Sequence, residues 1–128
     1  MSDYPKDKHA SIRTVAMPAD ANPSGDIFGG WIMSQMDIAG ASYAASIAQS
    51  RVATVAVEAM TFHLPVFVGD VVSCYCETER IGKTSIAIHI ETWVLRNREA
   101  DKPIRVTEGI YTFVALDKDR KPRCIKHS

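Results

Sequence analysis

Polar and apolar residues alternate in "SIRTVAM", and the β-branched members of that run predict a first strand over Ser11–Met17. "PADANPSGD" is a run of turn formers and predicts a loop. From Gly29-Gly30 to about Gln49 the chain becomes dense in Ala, Met and Ile, the composition of a helix. Its apolar residues are not confined to one stripe, so the helix is expected to be covered around most of its circumference. Strand-type segments follow: "VATVAVEAMTFH", "VVSCYCETERI", "TSIAIHIETWVL" and "PIRVTEGIYTFVALD". Between them lie "LPVFVGD", the Gly82-Lys83 turn and the charged loop "NREADK". Short connections predict antiparallel pairing, and a sheet of five strands needs its apolar face covered. The expected fold class is therefore α+β, one long central helix wrapped by a curved antiparallel five-stranded sheet.

The chain of 128 residues is the size of one domain. "MSDYPKDKHA" is polar and reads as a flexible arm over residues 1–10, leaving 11–128 as a single domain. The formal net charge is zero and no block of Lys or Arg occurs, which argues against nucleic-acid or membrane-surface partners. Ser34, Gln35, Asp37, Ser42, Ser46 and Gln49 interrupt the helical segment too often for a membrane span. Cys74 and Cys76 lie two apart and point to one side of a strand without bonding well to each other. An odd cysteine count with no CxxC and no signal sequence predicts a reducing, cytoplasmic setting.

Several motifs fail on inspection. "IGKTS" contains the Gly-Lys-Thr of a phosphate loop, but the required earlier glycine is Glu77 and the context is strand-to-strand. Asp117 and Asp119 begin like a calcium loop yet lack its glycine and distal glutamate, so a solvated turn is expected. His9, His63, His89 and His127 show no metal spacing, and no GxSxG nucleophile elbow occurs.

Gly29-Gly30 and Asp37 are more informative. Glycines at a helix start permit close backbone approach, and first-turn N–H groups lack intrahelical partners, so such a terminus suits a developing oxyanion or a phosphate. Asp37 is the lone formal charge between Ile27 and Ser50. A buried carboxylate without a partner is costly and favours its protonated form, which marks it as a candidate for chemistry. The competing role is structural, an acid satisfied by Ser, Gln or a backbone group in a dimer contact.

"NPSGDIFGGWIMSQMDIAGA" strongly resembles the signature of hotdog-fold acyl-CoA thioesterases, specifically the YciA-like branch. Asn22, Gly25, Asp26, Gly29, Gly30 and Asp37 stand at that motif's positions, and "VAVEAMTFHLPVFVGDVV", "RIGKTSIAI" and "YTFVALD" follow in the family's order. The resemblance covers residues 11–125, departing at the C-terminus, where relatives often continue with a short helical tail. It implies a hotdog fold, hydrolysis of acyl-CoA to free acid and CoA, and no metal or redox cofactor. By family pattern Asp37 is the catalytic carboxylate, Asn22 positions water or substrate, and the N–H of Gly30, with Gly29 beside it, polarises the thioester carbonyl. Asp37 can act as general base or attack the carbon itself, and either route needs its ionised form.

Seven residues separate Gly30 from Asp37 by about 10 Å along a rigid helix, too far for one thioester carbon to touch both. The expected site therefore joins Asp37 of one subunit to the helix start and Asn22 of another, making a homodimer the minimal unit, within a trimer of dimers. Arg80, Lys83, Thr84 and Ser85 around "ERIGKTS" are the candidates for the CoA phosphates. Val57, Met60 and Phe62 are candidates for an acyl tunnel, and Glu58 for a second carboxylate near it. His63 is expected at the surface of a strand end. The alternatives are a hydroxyacyl-thioester dehydratase, disfavoured because residues 18–50 contain no histidine, and a non-catalytic acyl-CoA binding module.

Overall fold

The computed structural model describes residues 3–125. Met1 and Ser2 of the expected arm, and residues 126–128 with His127 at the end of the expected domain, lie outside the described residues. The elements are β1 (Ile12–Val15), a 3₁₀ turn at Pro18–Asp20, α1 (Gly29–Ala48), β2 (Arg51–Phe62), β3 (Val71–Ile81), β4 (Ser85–Leu95) and β5 (Ile104–Leu116). The 3₁₀ turn falls inside the expected loop, where Asp20 accepts the N–H of Met17 at 3.0 Å and Pro18 presets the turn.

All pairings are antiparallel in one five-stranded sheet of order β1-β3-β4-β5-β2. β3–β4 and β4–β5 are neighbours in sequence, but β2 does not pair with β3, contrary to what a short link suggests. It pairs with β5 instead, Arg51 opposite Leu116 and Phe62 opposite Thr107. The segment 63–70 then crosses the end of the sheet to reach β3. Burying Val66 and Asp70 holds that crossing down.

α1 lies on the face that carries Ile86, Ile88 and Ile90 of β4 and Tyr111 and Phe113 of β5. Gly40 makes this close approach possible, since a Cβ there would come within 2.7 Å of Ile90 and 2.8 Å of Phe113. The helix ends on a left-handed Gln49, whose N–H returns to Ala45 O at 2.8 Å. The expected all-round covering is not what one chain provides. Burial follows the single stripe Ile32, Met36, Ala39, Gly40, Ala44 and Ala48, while Ile38 is 55% exposed. The uncovered side borders β2, an edge strand whose Val55 is 57% exposed. Val55 and Val57 of β2 and Ile38 of α1 leave apolar side chains uncovered at this border, among the exposed helix serines Ser34, Ser42 and Ser46.

The opposite face of the sheet is polar and partly roofed by the arm, where Tyr4 packs edge-on to Tyr75 and Trp93. There Glu108 bonds His63 at 2.7 Å and His89 at 3.2 Å, and Arg105 pairs with both Glu108 and Glu91.

Candidate active site

The predicted residues fall into separate places on one chain. At the helix start, Asn22, Asp26, Gly29, Phe62 and His63 line an open pocket of about 310 Å³. The loop before it is shaped by Asn22, whose Oδ1 accepts the N–H groups of Ser24 at 2.9 Å and Asp26 at 3.1 Å. That carbonyl is therefore committed to the loop, and the amide nitrogen is the part of Asn22 left to meet a substrate. The loop is seated on the crossing segment by Ile27 N–H to Val66 O, 2.9 Å, and by a bridge between Asp26 and Phe67.

Phe28 precedes the helix without any side-chain cap, and no acid lies in the first turn. The N–H groups of Trp31 and Ile32 turn back to Phe28 O, whereas those of Gly29 and Gly30 have no partner among the described residues. Nothing lies within 4 Å of where a Gly30 Cβ would stand, so the backbone is open to an incoming oxygen. An uncapped terminus with free donors and no competing anion is a site for developing negative charge.

Asp37 lies two turns further on, in a groove of about 240 Å³ between α1 and β2, lined by Met33, Ser34, Asp37, Thr54, Val57 and Tyr111. It is half-buried, not fully enclosed, and it has a partner that the sequence did not reveal: the Thr54 hydroxyl donates to Oδ1 at 2.5 Å. Oδ2 has no hydrogen-bond partner among the described residues. Beneath it Tyr111 donates its phenol to Met33 O at 2.8 Å, pinning the helical turn that carries Asp37 onto β5. Burial, then the Asp37 charge, pushes that phenol up, so it stays a neutral donor. Thr54 and Tyr111 sit 17 and 74 residues from Asp37, beyond the reach of helical spacing.

Val57 shares this groove, but Glu58 is exposed on β2 opposite Ile110. Arg80, Lys83, Thr84 and Ser85 surround the β3–β4 turn, at the end of the sheet away from segment 63–70 and the helix start. Within one chain they cannot share a pocket with Asn22 and Gly30. His63, just past the end of β2, bonds Glu108 as a surface residue, and His89 of β4 bonds the same carboxylate on the polar face of the sheet. Burial pushes the thiols of Cys74 to about 12 and Cys76 to about 11, leaving neither as a ready nucleophile. His89, Glu91 and Glu108 bring ligand atoms within 4.8 Å of one another, a grouping that linear spacing hid. Arg105 already neutralises both carboxylates there.

A family model described as the thioesterase superfamily matches residues 24–100. The acyl-CoA thioester hydrolase YciA of Salmonella typhimurium is 56% identical over 116 residues, spanning 88% of this chain and 86% of that protein. Its Escherichia coli namesake is 53% identical over 118 residues, spanning 89% and 88%. Among solved structures, the hexameric thioesterase y2039 from Yersinia pestis is similar with a TM-score of 0.86 at 52% identity, over 93% of this chain and 96% of that one. HI0827, a hexameric broad specificity acyl-coenzyme A thioesterase solved with one aspartate changed to alanine, is similar with a TM-score of 0.89 at 47% identity, over 94% and 88%.

Proposed function

The chain belongs to the thioesterase superfamily, and from that premise and the two separated half-sites we propose that it hydrolyses acyl-CoA in a site completed by two protomers. Water adds to the thioester carbon, the C–S bond breaks, and the products are a free acid and CoA. The observation that carries the shared site is the division on one chain: the carboxylate opens into one groove and the helix-start donors into another. In the assembled site, Gly30 N–H and the Asn22 amide of one protomer face the carbonyl oxygen, while Asp37 of its partner addresses the carbon from the other side. Thr54 holds one Asp37 oxygen and leaves the other to deprotonate water or attack directly. No metal or redox cofactor has a part in this chemistry.

The protein is a homo-oligomer, as its hexameric relatives are, and we read it as a trimer of dimers whose dimer closes over β2 and the open face of α1. Arg80, Lys83, Thr84 and Ser85 are the residues we assign to the CoA phosphates. Among the described residues no helix is long and apolar enough to cross a membrane. The free cysteines Cys74, Cys76 and Cys124 support the assignment to a reducing cytoplasm.

Mixed oligomers test the sharing. Gly30→Pro removes the donor within the first helical turn, where no intrahelical hydrogen bond is lost, and Asp37→Ala removes the acid. Each variant alone is expected to lose thiol release, and each mixed dimer to regain about one site in two, the one whose acid and donor both survive. Mixed oligomers as inactive as their parents would exclude a site built across protomers.

A further inference from the structure

A strained stretch of β2 sits between the two pockets. Glu58 lies opposite Ile110 and Thr61 opposite Glu108, so Ala59 and Met60 together face the single residue Gly109. This is a β-bulge, a feature that re-aims a side chain, and Ala59 accommodates it with a left-handed φ of 53°. Met60 lies across Gly109: a Cβ on that glycine would come within 2.8 Å of the Met60 Cε and 3.1 Å of its Sδ. Glycine inside a strand weakens it, and here the missing side chain is the seat of the methionine.

Contacts along the seam between α1 and the sheet place this methionine. In order from the helix start, the Gly29 Cβ position meets the Phe62 ring, Tyr111 bonds Met33 O, and Thr54 bonds Asp37. Phe62 pairs with Thr107 and Val57 with Tyr111, so Met60 on Gly109 falls between the first two contacts. Phe62 and Ile32 line the helix-start pocket of about 310 Å³, and Val57 and Met33 line the Asp37 groove of about 240 Å³. Met60 lines neither. It is half-buried against the core and stands between them.

We propose that Met60 is a chain-length gate: short acyl groups are housed in the helix-start pocket, and longer ones pass along the seam only when the thioether swings off Gly109. The proposal rests on the acyl-CoA reading and names the residue that sorts its substrates. Ile32 and Phe62 on one side of the gate and Met33 and Val57 on the other make the route apolar, as an alkyl chain requires. An unbranched side chain with a soft, polarisable sulfur can move aside and repack without leaving a fixed void.

Two neighbouring substitutions should act in opposite directions. On the full oligomer, kcat/KM is compared for hexadecanoyl-CoA and butanoyl-CoA. Met60→Ala removes the gate and is expected to raise the long-to-short ratio about tenfold or more, the scale on which apolar pockets tell chain lengths apart. Gly109→Ala fills the seat, pushes Met60 into the seam and is expected to lower the ratio by a similar factor. Both substitutions together should behave as Met60→Ala alone, because the added methyl then has nothing to push. Should Met60→Ala fail to assemble, Met60→Val, which lacks the Sδ and Cε that cross Gly109, carries the same expectation. A ratio unchanged in the single variants, or moved the same way by both, would overturn the gate and leave Met60 as packing alone. S-alkyl-CoA thioethers, which are not hydrolysed, repeat the comparison by calorimetry. A wild type that cleaves no acyl-CoA defeats the hydrolase reading, and the thioether affinities of the variants still decide the gate by themselves.

Discussion

Asp37 and Asp70 are both aspartates in the periphery of the fold, and their surroundings are opposite. Asp70 is 1% exposed and bonded at both oxygens: Arg96 donates to them at 3.0 and 2.9 Å, and the Phe67 N–H adds a bond at 2.9 Å. The same guanidinium caps Pro65 O and lies 4.4 Å from the Phe67 ring centroid, so one ion pair fastens the whole crossing segment to the end of β4. Asp37 keeps one hydroxyl partner and one open oxygen, in a groove between elements. A carboxylate with both oxygens bonded and a cation beside it holds structure together, and one with an oxygen left open in a groove can act on a substrate.

Exchange of each acid for its amide breaks the comparison at its strongest point. Asp37→Asn is expected to lower turnover about 10²–10⁴-fold, the range for loss of a positioned base, with little change in the unfolding midpoint. Asp70→Asn is expected to do the reverse, stranding Arg96 and costing about 3 kcal/mol of stability, with turnover per folded molecule preserved. Denaturant titration and thiol release on both variants decide the matter. Equal turnover by Asp37→Asn and wild type would remove the acid from the reaction.

The contrast sharpens at Thr54. Hydrogen bonds to charged groups are worth about 1.5–3 kcal/mol, so Thr54→Val should lower kcat roughly tenfold or more, with KM little altered. Thr54→Ser, which keeps the hydroxyl, should recover most of it. A defect equally severe in both would mean that the methyl group, and hence packing, is what β2 supplies there.

Local pattern reached much of this architecture and stopped at its long-range pairings. The helix begins at the expected Gly29 and ends within a residue of the expected Gln49, because Ala-rich composition and the flanking turn residues act locally. The strands β3, β4 and β5 likewise follow from alternation and tight turns. That β2 would join β5 was illegible, since a short link also permits a crossing when the sheet's end can be sealed. Here Arg96 and Asp70, 26 residues apart, provide the seal. Asp37 was conspicuous as an acid in apolar surroundings, but its partner Thr54 and the pinning Tyr111 belong to other elements and carry no spacing signal. The half-covered helix was missed as well: its exposed line, Ser34, Ile38, Ser42 and Ser46, is mostly serine, which a count of apolar residues passes over.

A third carboxylate completes the series and has the smallest expected effect. Glu108 on the polar face is held below its ordinary value of 4.5, first by its bond to His63, then by His89 and the Arg105 charge, with burial opposing them in part. Its folded pKa therefore lies below its unfolded one, so the unfolded chain binds the proton more readily as the pH falls. The stabilisation is complete above about 4.5 and is lost as pH drops through the lower, folded value. Melting midpoints followed downward from pH 6 should decline for the wild type in that window and decline less steeply for Glu108→Gln, which starts lower at neutral pH. Parallel curves for the two proteins would show that Glu108, for all its partners, contributes nothing to acid sensitivity, and that a mixed network open to solvent is worth no more than its screened surface pairs.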